Sequence, residues 1–63
     1  MFSPFDREQM INIMRATPWS TCTSIAQEMG RHPSTVRHHL RRGVRDGTIE
    51  IDRTRRPHKF KVR

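Results

Sequence analysis

The hydrophobic pattern changes its period once, in the last third of the chain, and this change limits the folds open to it. Before the change, Val36, Leu40 and Val44 recur at every fourth position, which is the spacing of one helix face. After it, apolar and polar residues alternate through 48–52 and again through 59–63, as in half-buried strands. The pattern therefore predicts an α+β chain, with helices first and a C-terminal β-hairpin last.

The first helix is predicted to begin at Asp6, which would cap it. Phe5 and Met10 have the spacing of a hydrophobic staple around that cap. The helix is expected to end at Thr17, because a residue before proline avoids the α region. The next few residues, 19–22, are predicted to form an extended segment that adds one small strand. Trp19 could stack on a base, but its position beside Pro18 at a helix–strand junction favours the core.

Two more helices are predicted before the hairpin. Thr21 would cap the second helix, 22–29, and Gly30 has the left-handed freedom that a helix C-terminus needs. The third helix, about 33–45, starts with Pro33, which suits a first turn. The predicted core consists of Met10, Met14, Ile25, Ala26, Met29, Val36, Leu40, Ile49, Ile51, Phe60 and Val62.

Composition excludes several classes of protein. With 63 residues the chain is expected to form a single domain, 1–63, and its one cysteine, Cys22, allows neither a disulfide nor a CxxC metal site. No apolar run approaches the ~18 residues of a membrane span, and no signal peptide is visible, so we expect a cytoplasmic, nucleoid-associated protein.

Enzymatic and metal-binding functions are also disfavoured. There is no glycine-rich phosphate loop and no nucleophile with an evident base, so no catalytic residue is predicted. His38 and His39 are adjacent and would project about 100° apart on a helix, which disfavours a shared metal ion. We therefore expect no enzyme activity, no metal, no cofactor and no small-molecule ligand.

Positive charge is confined to the second half of the chain. The net charge is +7, yet residues 1–30 contain two basic and three acidic side chains, whereas residues 31–63 contain eleven basic and three acidic ones. Segregation of this kind is typical of a surface that faces a polyanion.

The segment 24–42 resembles the helix-turn-helix of the winged-helix family. It matches that pattern at Ala26, Gly30 and Val36, and the stretch 46–49 resembles the exit from a recognition helix into the first wing strand. The resemblance implies a winged helix-turn-helix fold, with a three-helix core and a C-terminal two-stranded β-hairpin wing. The chain departs from the family at Gly43, usually a large apolar residue, and at His39, often an aliphatic one.

The resemblance also implies a DNA-binding site. The recognition helix would enter the major groove, where its first turns meet base edges and its later residues meet phosphates. The wing, about 53–59, would contact flanking backbone or the minor groove. The predicted DNA-binding residues are Ser34, Thr35, Arg37, His38, Arg41, Arg42, Arg45, Arg53, Arg55, Arg56, His58 and Lys59.

The favoured function is sequence-specific binding of double-stranded DNA by a small transcriptional regulator. Its size is similar to phage and plasmid regulators, or to the DNA-binding domain of a larger protein. One alternative is an RNA- or ribosome-associated protein, which would use exposed aromatics, whereas most of Phe2, Phe5, Trp19 and Phe60 are expected inside. The other is a module that binds an acidic protein surface. No element is left over for dimerisation, so we expect a monomer, with dimerisation on DNA left open.

Overall fold

The structure, a computed structural model, describes residues 4–63. The element order is α1 (Pro4–Ala16), β1 (Ser20–Thr21), α2 (Cys22–Met29), α3 (Pro33–Asp46), β2 (Ile49–Asp52) and β3 (Lys59–Val62). This order confirms the predicted α+β class and the winged helix-turn-helix fold. Within residues 4–63, no helix has the length and apolar character needed to cross a membrane.

Helix α1 begins two residues before the predicted cap at Asp6. The fixed φ of Pro4 suits the first turn of a helix, so the helix extends back to it. Asp6 then lies within the first turn, where its buried carboxylate pairs with Arg31 at 3.3 Å. Phe5 is 76% exposed and Met10 is fully buried. The predicted cap at Asp6 and the predicted Phe5–Met10 staple are therefore wrong.

Both ends of α2 and the start of α3 lie where the sequence predicted them. Thr21 Oγ1 accepts a hydrogen bond from the Ser24 backbone N–H at 3.1 Å, and Gly30 ends α2 with a φ of 67°. At the start of α3, the ring Nδ1 of His32 accepts a hydrogen bond from the Ser34 N–H at 3.1 Å. Both helices thus have a satisfied donor in the first turn, which fixes where each begins.

Gly43 allows β2 to pack closely against α3. A Cβ atom at Gly43 would lie 2.4 Å from Ile49 Cδ1 and 3.1 Å from Ile49 Cβ. Ile49 itself is 3% exposed, so the strand supplies the apolar group that the helix lacks at this position. The second departure from the family pattern, His39, is also buried, at 5% exposure.

The sheet contains three antiparallel strands in the order β1-β3-β2. Phe60 of β3 lies opposite Ile51 of β2 on one side and Ser20 of β1 on the other. The short strand predicted within 19–22 is confirmed as β1, which pairs with the free edge of β3 and adds a third strand to the predicted hairpin. This pairing ties the chain between α1 and α2 to the C-terminal strand.

Eight of the predicted core residues form one buried cluster. They are Met10, Met14, Ile25, Ala26, Met29, Val36, Leu40 and Ile49. The three other predicted core residues, Ile51, Phe60 and Val62, are only half-buried. A sheet this small leaves part of its inner face at the rim, so its side chains stay partly in contact with water.

Candidate nucleic-acid interface

Helix α3 separates its apolar and basic residues onto different faces. Val36, Leu40 and Gly43 are buried against the core, together with His39. A helix turns 100° per residue, so the arginines between these positions must project away from the core. The exposed arginines of this helix are Arg37, Arg41, Arg42 and Arg45.

An open groove of about 800 Å³ lies between α3 and the hairpin. Helix α3 contributes Arg37, Arg41 and Arg45 to its lining, and the hairpin contributes Arg53 and His58. The apolar part of the lining consists of Leu40, Val44, Ile51, Pro57 and Phe60. The fold therefore brings five of the twelve predicted DNA-binding residues to one concave surface.

The groove is positively charged and has no acidic residue in its lining. Two acidic side chains near α3 and the hairpin form ion pairs outside the groove: Asp46 with Arg7 at 3.0 Å, and Glu50 with both Lys61 at 3.5 Å and Arg63 at 3.6 Å. Within the described part of the chain, no ion pair includes an arginine of the groove. Concave walls that bear charge of one sign concentrate the field, so the groove attracts anions.

The loop between β2 and β3 is anchored at its first residues. The Thr54 N–H donates a hydrogen bond to Asp52 Oδ1 at 2.9 Å, and the Thr54 hydroxyl donates to the same oxygen. These hydrogen bonds hold the pKa of Asp52 below its ordinary value. Arg55 and Arg56 lie farther along the loop, exposed and outside the groove lining. The peptide bond between Arg56 and Pro57 is cis.

The remaining predicted residues on α3 do not line the groove. Thr35, His38 and Arg42 lie three or four positions apart and follow a different row of the helix from Arg37 and Arg41. Ser34 Oγ lies 2.8 Å from His32 Nδ1, at the helix N-terminus. Lys59, on the hairpin, is exposed and also outside the lining. The predicted set is thus divided between the groove and the surfaces beside it.

The start of α2 forms a wall of the groove that the sequence reasoning missed. Thr21, Cys22 and Thr23 line this wall. Burial raises the pKa of the Cys22 thiol, and the nearby Arg37 charge opposes that rise. The thiol donates a hydrogen bond to the Pro33 carbonyl at 3.4 Å, which joins the first turns of α2 and α3. The signal for this wall was the helix-turn-helix pattern, which places these two turns side by side.

Trp19 lies at the surface, which corrects its predicted position in the core. Its side chain is 43% exposed, and the Lys61 ammonium nitrogen lies 5.2 Å from the ring centroid. The residue has a φ of 61°, a left-handed conformation that turns the chain from Pro18 into β1. Phe5 is exposed as well, Phe60 is half-buried, and Phe2 lies outside the described residues.

Over the described residues, no group of three or more His, Cys, Asp or Glu side chains is arranged to hold a metal ion. The chemistry of the interface is that of arginine, histidine and hydroxyl groups around an apolar surface. Such groups bind phosphate oxygens and stack on planar rings.

Two solved structures share this fold over almost their whole length. One is the Zalpha domain of PKZ from Carassius auratus in complex with Z-DNA. It superposes with a TM-score of 0.86 at 24% identity and covers 94% of each chain. The other is ORF112-Zalpha of Cyprinid Herpesvirus3, described in its binding mode to Z-DNA. Its TM-score is 0.88 at 19% identity, with 100% of each chain covered.

At these identities the similarity establishes the fold, the winged helix of the Zalpha domains. Neither neighbour is a phage or plasmid regulator, so that part of the sequence interpretation gains no support. No protein-family model and no curated protein matches the sequence.

Proposed function

We propose that this chain binds double-stranded DNA through the groove between α3 and the hairpin, and that it prefers the left-handed Z conformation. One observation carries the proposal: four arginines and a histidine converge on a concave surface that has no acidic residue. The phosphodiester backbone is the polyanion that such a surface fits, because arginine pairs with phosphate through two parallel hydrogen bonds.

The preference for Z-DNA rests on the rigidity of the groove and on its relatives. Basic residues come from two separate elements, α3 and the hairpin, which are held together by the packing of Ile49 on Gly43. Fixed cations recognise the spacing of phosphates, and this spacing differs between duplex conformations. Both solved neighbours concern Zalpha domains with Z-DNA, and their fold is superposable on this chain.

Sequence-specific binding to B-DNA, with a role in transcription regulation, is the second candidate function. It is favoured by the position of Arg37 and His38 in the first two turns of α3, the part of a recognition helix that meets base edges. In this mode Arg37 would pair with a guanine edge, and the loop arginines would contact flanking phosphates.

Binding to three duplexes of equal length distinguishes the two candidates. The first is alternating d(CG) with methylated cytosine, which adopts the Z form readily; the second is unmodified d(CG); the third is a random-sequence B-form pool. We expect at least about ten-fold tighter binding to the Z-form duplex, a difference of ~1.4 kcal/mol. We also expect the protein to invert the circular dichroism spectrum of unmodified d(CG).

Charge reversal inside and outside the groove provides a matched control. Arg41→Glu changes a groove residue, whereas Arg15→Glu makes the same change on an exposed position of α1. Only the first substitution should abolish binding. Equal affinity for all three duplexes would refute the Z preference, enrichment of one B-form sequence would favour the second candidate, and no binding to any duplex would refute both.

A further inference from the structure

We propose that the chain has a second nucleic-acid contact outside the groove, at which Trp19 stacks on an unpaired base of a single-stranded segment. The contact surface, here named the Trp19 patch, comprises Trp19, Lys61, Arg63 and Glu50. It extends across the sheet from the residue before β1, over β3, to Glu50 of β2, and none of its members lines the groove.

The indole ring of Trp19 offers a flat surface to solvent. It is 43% exposed, and the Lys61 ammonium nitrogen lies over the ring, 5.2 Å from its centroid. Every nucleobase has a π-face that stacks on an aromatic side chain of this kind. Because Lys61 lies over one face of the ring, the base of this proposal stacks on the opposite face, and the lysine supplies positive charge beside it.

The backbone of Trp19 adds a separate argument. A φ of 61° is unfavourable for any residue with a Cβ atom, and glycine or asparagine adopts it at lower cost. Local folding therefore does not explain a tryptophan at this turn. Residues with strained backbones cluster at binding sites, where the function of the side chain outweighs the cost of the strain.

The charge of the patch favours a nucleic acid as its occupant. Glu50 is shared by two cations, Lys61 and Arg63, which leaves the cluster with a net positive charge. The remaining acidic side chain of the hairpin, Asp52, accepts both hydrogen bonds of Thr54. An exposed aromatic ring beside a surplus cation suits a base and its phosphate better than an acidic or purely apolar partner.

The patch is close to the groove along the chain. Thr21 lines the groove and Trp19 precedes it by two residues of nearly extended chain, which spans about 7 Å. A single strand that leaves a duplex held in the groove therefore reaches the ring within a nucleotide or two. This placement rests on the proposed function, whereas stacking of a free single strand on Trp19 does not.

The fluorescence of the protein tests the inference directly. Trp19 is the single tryptophan and the chain has no tyrosine, so emission near tryptophan wavelengths reports this ring alone. The probes are a short oligo-dT, a blunt Z-forming d(CG) duplex, and the same duplex with an oligo-dT overhang. We expect quenching by the oligo-dT and by the overhang duplex, but not by the blunt duplex. The overhang should raise affinity about five-fold or more, the value of one stacked base.

Two substitutions separate stacking from folding. Trp19→Asn removes the ring at a residue type that tolerates a left-handed backbone, and it should abolish the gain from the overhang while blunt-duplex affinity is unchanged. Trp19→Phe should retain part of the gain. If Trp19→Asn fails to fold, the Lys61→Ala variant, which retains Trp19, tests the inference instead. This substitution should weaken the quenching of Trp19 emission by the oligo-dT.

Several outcomes would overturn the inference. They are an overhang that adds neither affinity nor quenching, a gain that persists in Trp19→Asn, quenching by the blunt duplex alone, and quenching by an acidic peptide but not by oligo-dT. Failure of the proposed function has a different signature. In that case the oligo-dT still quenches Trp19, but the blunt duplex does not bind.

Discussion

Gly43 shows how one missing side chain determines the contact between two elements. The helix-turn-helix resemblance marks this position as a departure, since an apolar residue is usual there. In the structure the space is filled from the other side by Ile49. The sequence revealed the departure at Gly43. It could not reveal that Ile49 is the compensating residue, because that contact joins α3 to β2.

We predict that Gly43→Ala destabilises the protein even though alanine is the better helix former. The new methyl group would overlap Ile49 Cδ1 and Cγ1, at 2.4 and 2.7 Å, and overpacking of this kind costs about 1–3 kcal/mol. The gain in helix propensity is only ~1 kcal/mol. Thermal and urea melts of the single variant and of Gly43→Ala with Ile49→Val measure the effect. The double variant should recover part of the loss, and no recovery would refute this account.

His39 gives the fold a dependence on pH. Burial lowers the pKa of His39 below its ordinary 6.5, and the neighbouring His38 lowers it further. The unfolded chain therefore binds this proton first as the pH falls. The free energy of unfolding is greatest above pH 6.5 and decreases below it, until the pH reaches the folded-state pKa.

We predict that the melting temperature declines as the pH falls below about 6.5, and that His39→Leu reduces this decline. Leucine binds no proton and resembles the aliphatic residue that the family pattern favours here. Hydrogen bonds from Thr48 and Thr54 lower the pKa values of Asp46 and Asp52 from 3.8, so the protonation of these two carboxylates affects stability only at lower pH. Identical pH profiles for the two proteins would show that His39 is not responsible.

At the scale of elements, predictions succeeded where the signal is local. Thr21, Gly30 and Pro33 each mark a helix boundary through their own backbone preference, and α2 begins and ends at the predicted residues. The start of α1 was misplaced because Pro4 competes with Asp6 as a helix-starting residue, and Pro4 prevails. The short strand β1 was predicted from its own residues, but its pairing with β3, about forty residues away, and the exposure of Trp19 were not.

The two basic elements of the interface should contribute differently to binding. We predict that Arg37→Ala costs about 1–3 kcal/mol on the preferred duplex and little on random duplex, because only the preferred duplex is expected to fit the groove that Arg37 lines. Arg55→Ala, on the exposed loop, should weaken binding equally on all duplexes. Titrations of both variants against preferred and random DNA provide the comparison, with melting temperature as the folding control. If only Arg55→Ala lost the preference for the preferred duplex over random DNA, the loop would be the element that discriminates between duplexes.

At the scale of the whole molecule, the sequence predicted which half of the chain supplies the basic surface, but not the shape of that surface. Its basic half supplies every arginine of the groove. The groove itself needs the sheet, which orients Arg53 and His58 toward α3, and the first turn of α2, which closes one wall. In the sequence, Arg42 and Arg56 cannot be distinguished from the arginines of the groove. In the structure they lie outside its lining, because the position of a residue around a helix or along a loop determines whether its side chain reaches the groove.

We predict a steep salt dependence for duplex binding. Each neutralised phosphate contributes a slope of about −0.9 to log affinity against log salt, so contacts by the groove arginines alone imply a slope of about −3 to −4. Arg41→Ala should reduce that slope by about one, whereas Arg15→Ala should leave it unchanged. A slope near zero would point to an apolar interface instead.

The middle position of β3 in the sheet has a consequence for the time course of folding. Its pairing of Phe60 with Ser20 joins segments far apart in the chain, whereas the helices need only local contacts. Closing so large a loop is slow compared with forming a helical turn. The three helices and the β2–β3 hairpin are therefore expected to form before β1 pairs with β3. The complete groove, with Thr21 in its wall, therefore forms only in the step that joins β1 to β3.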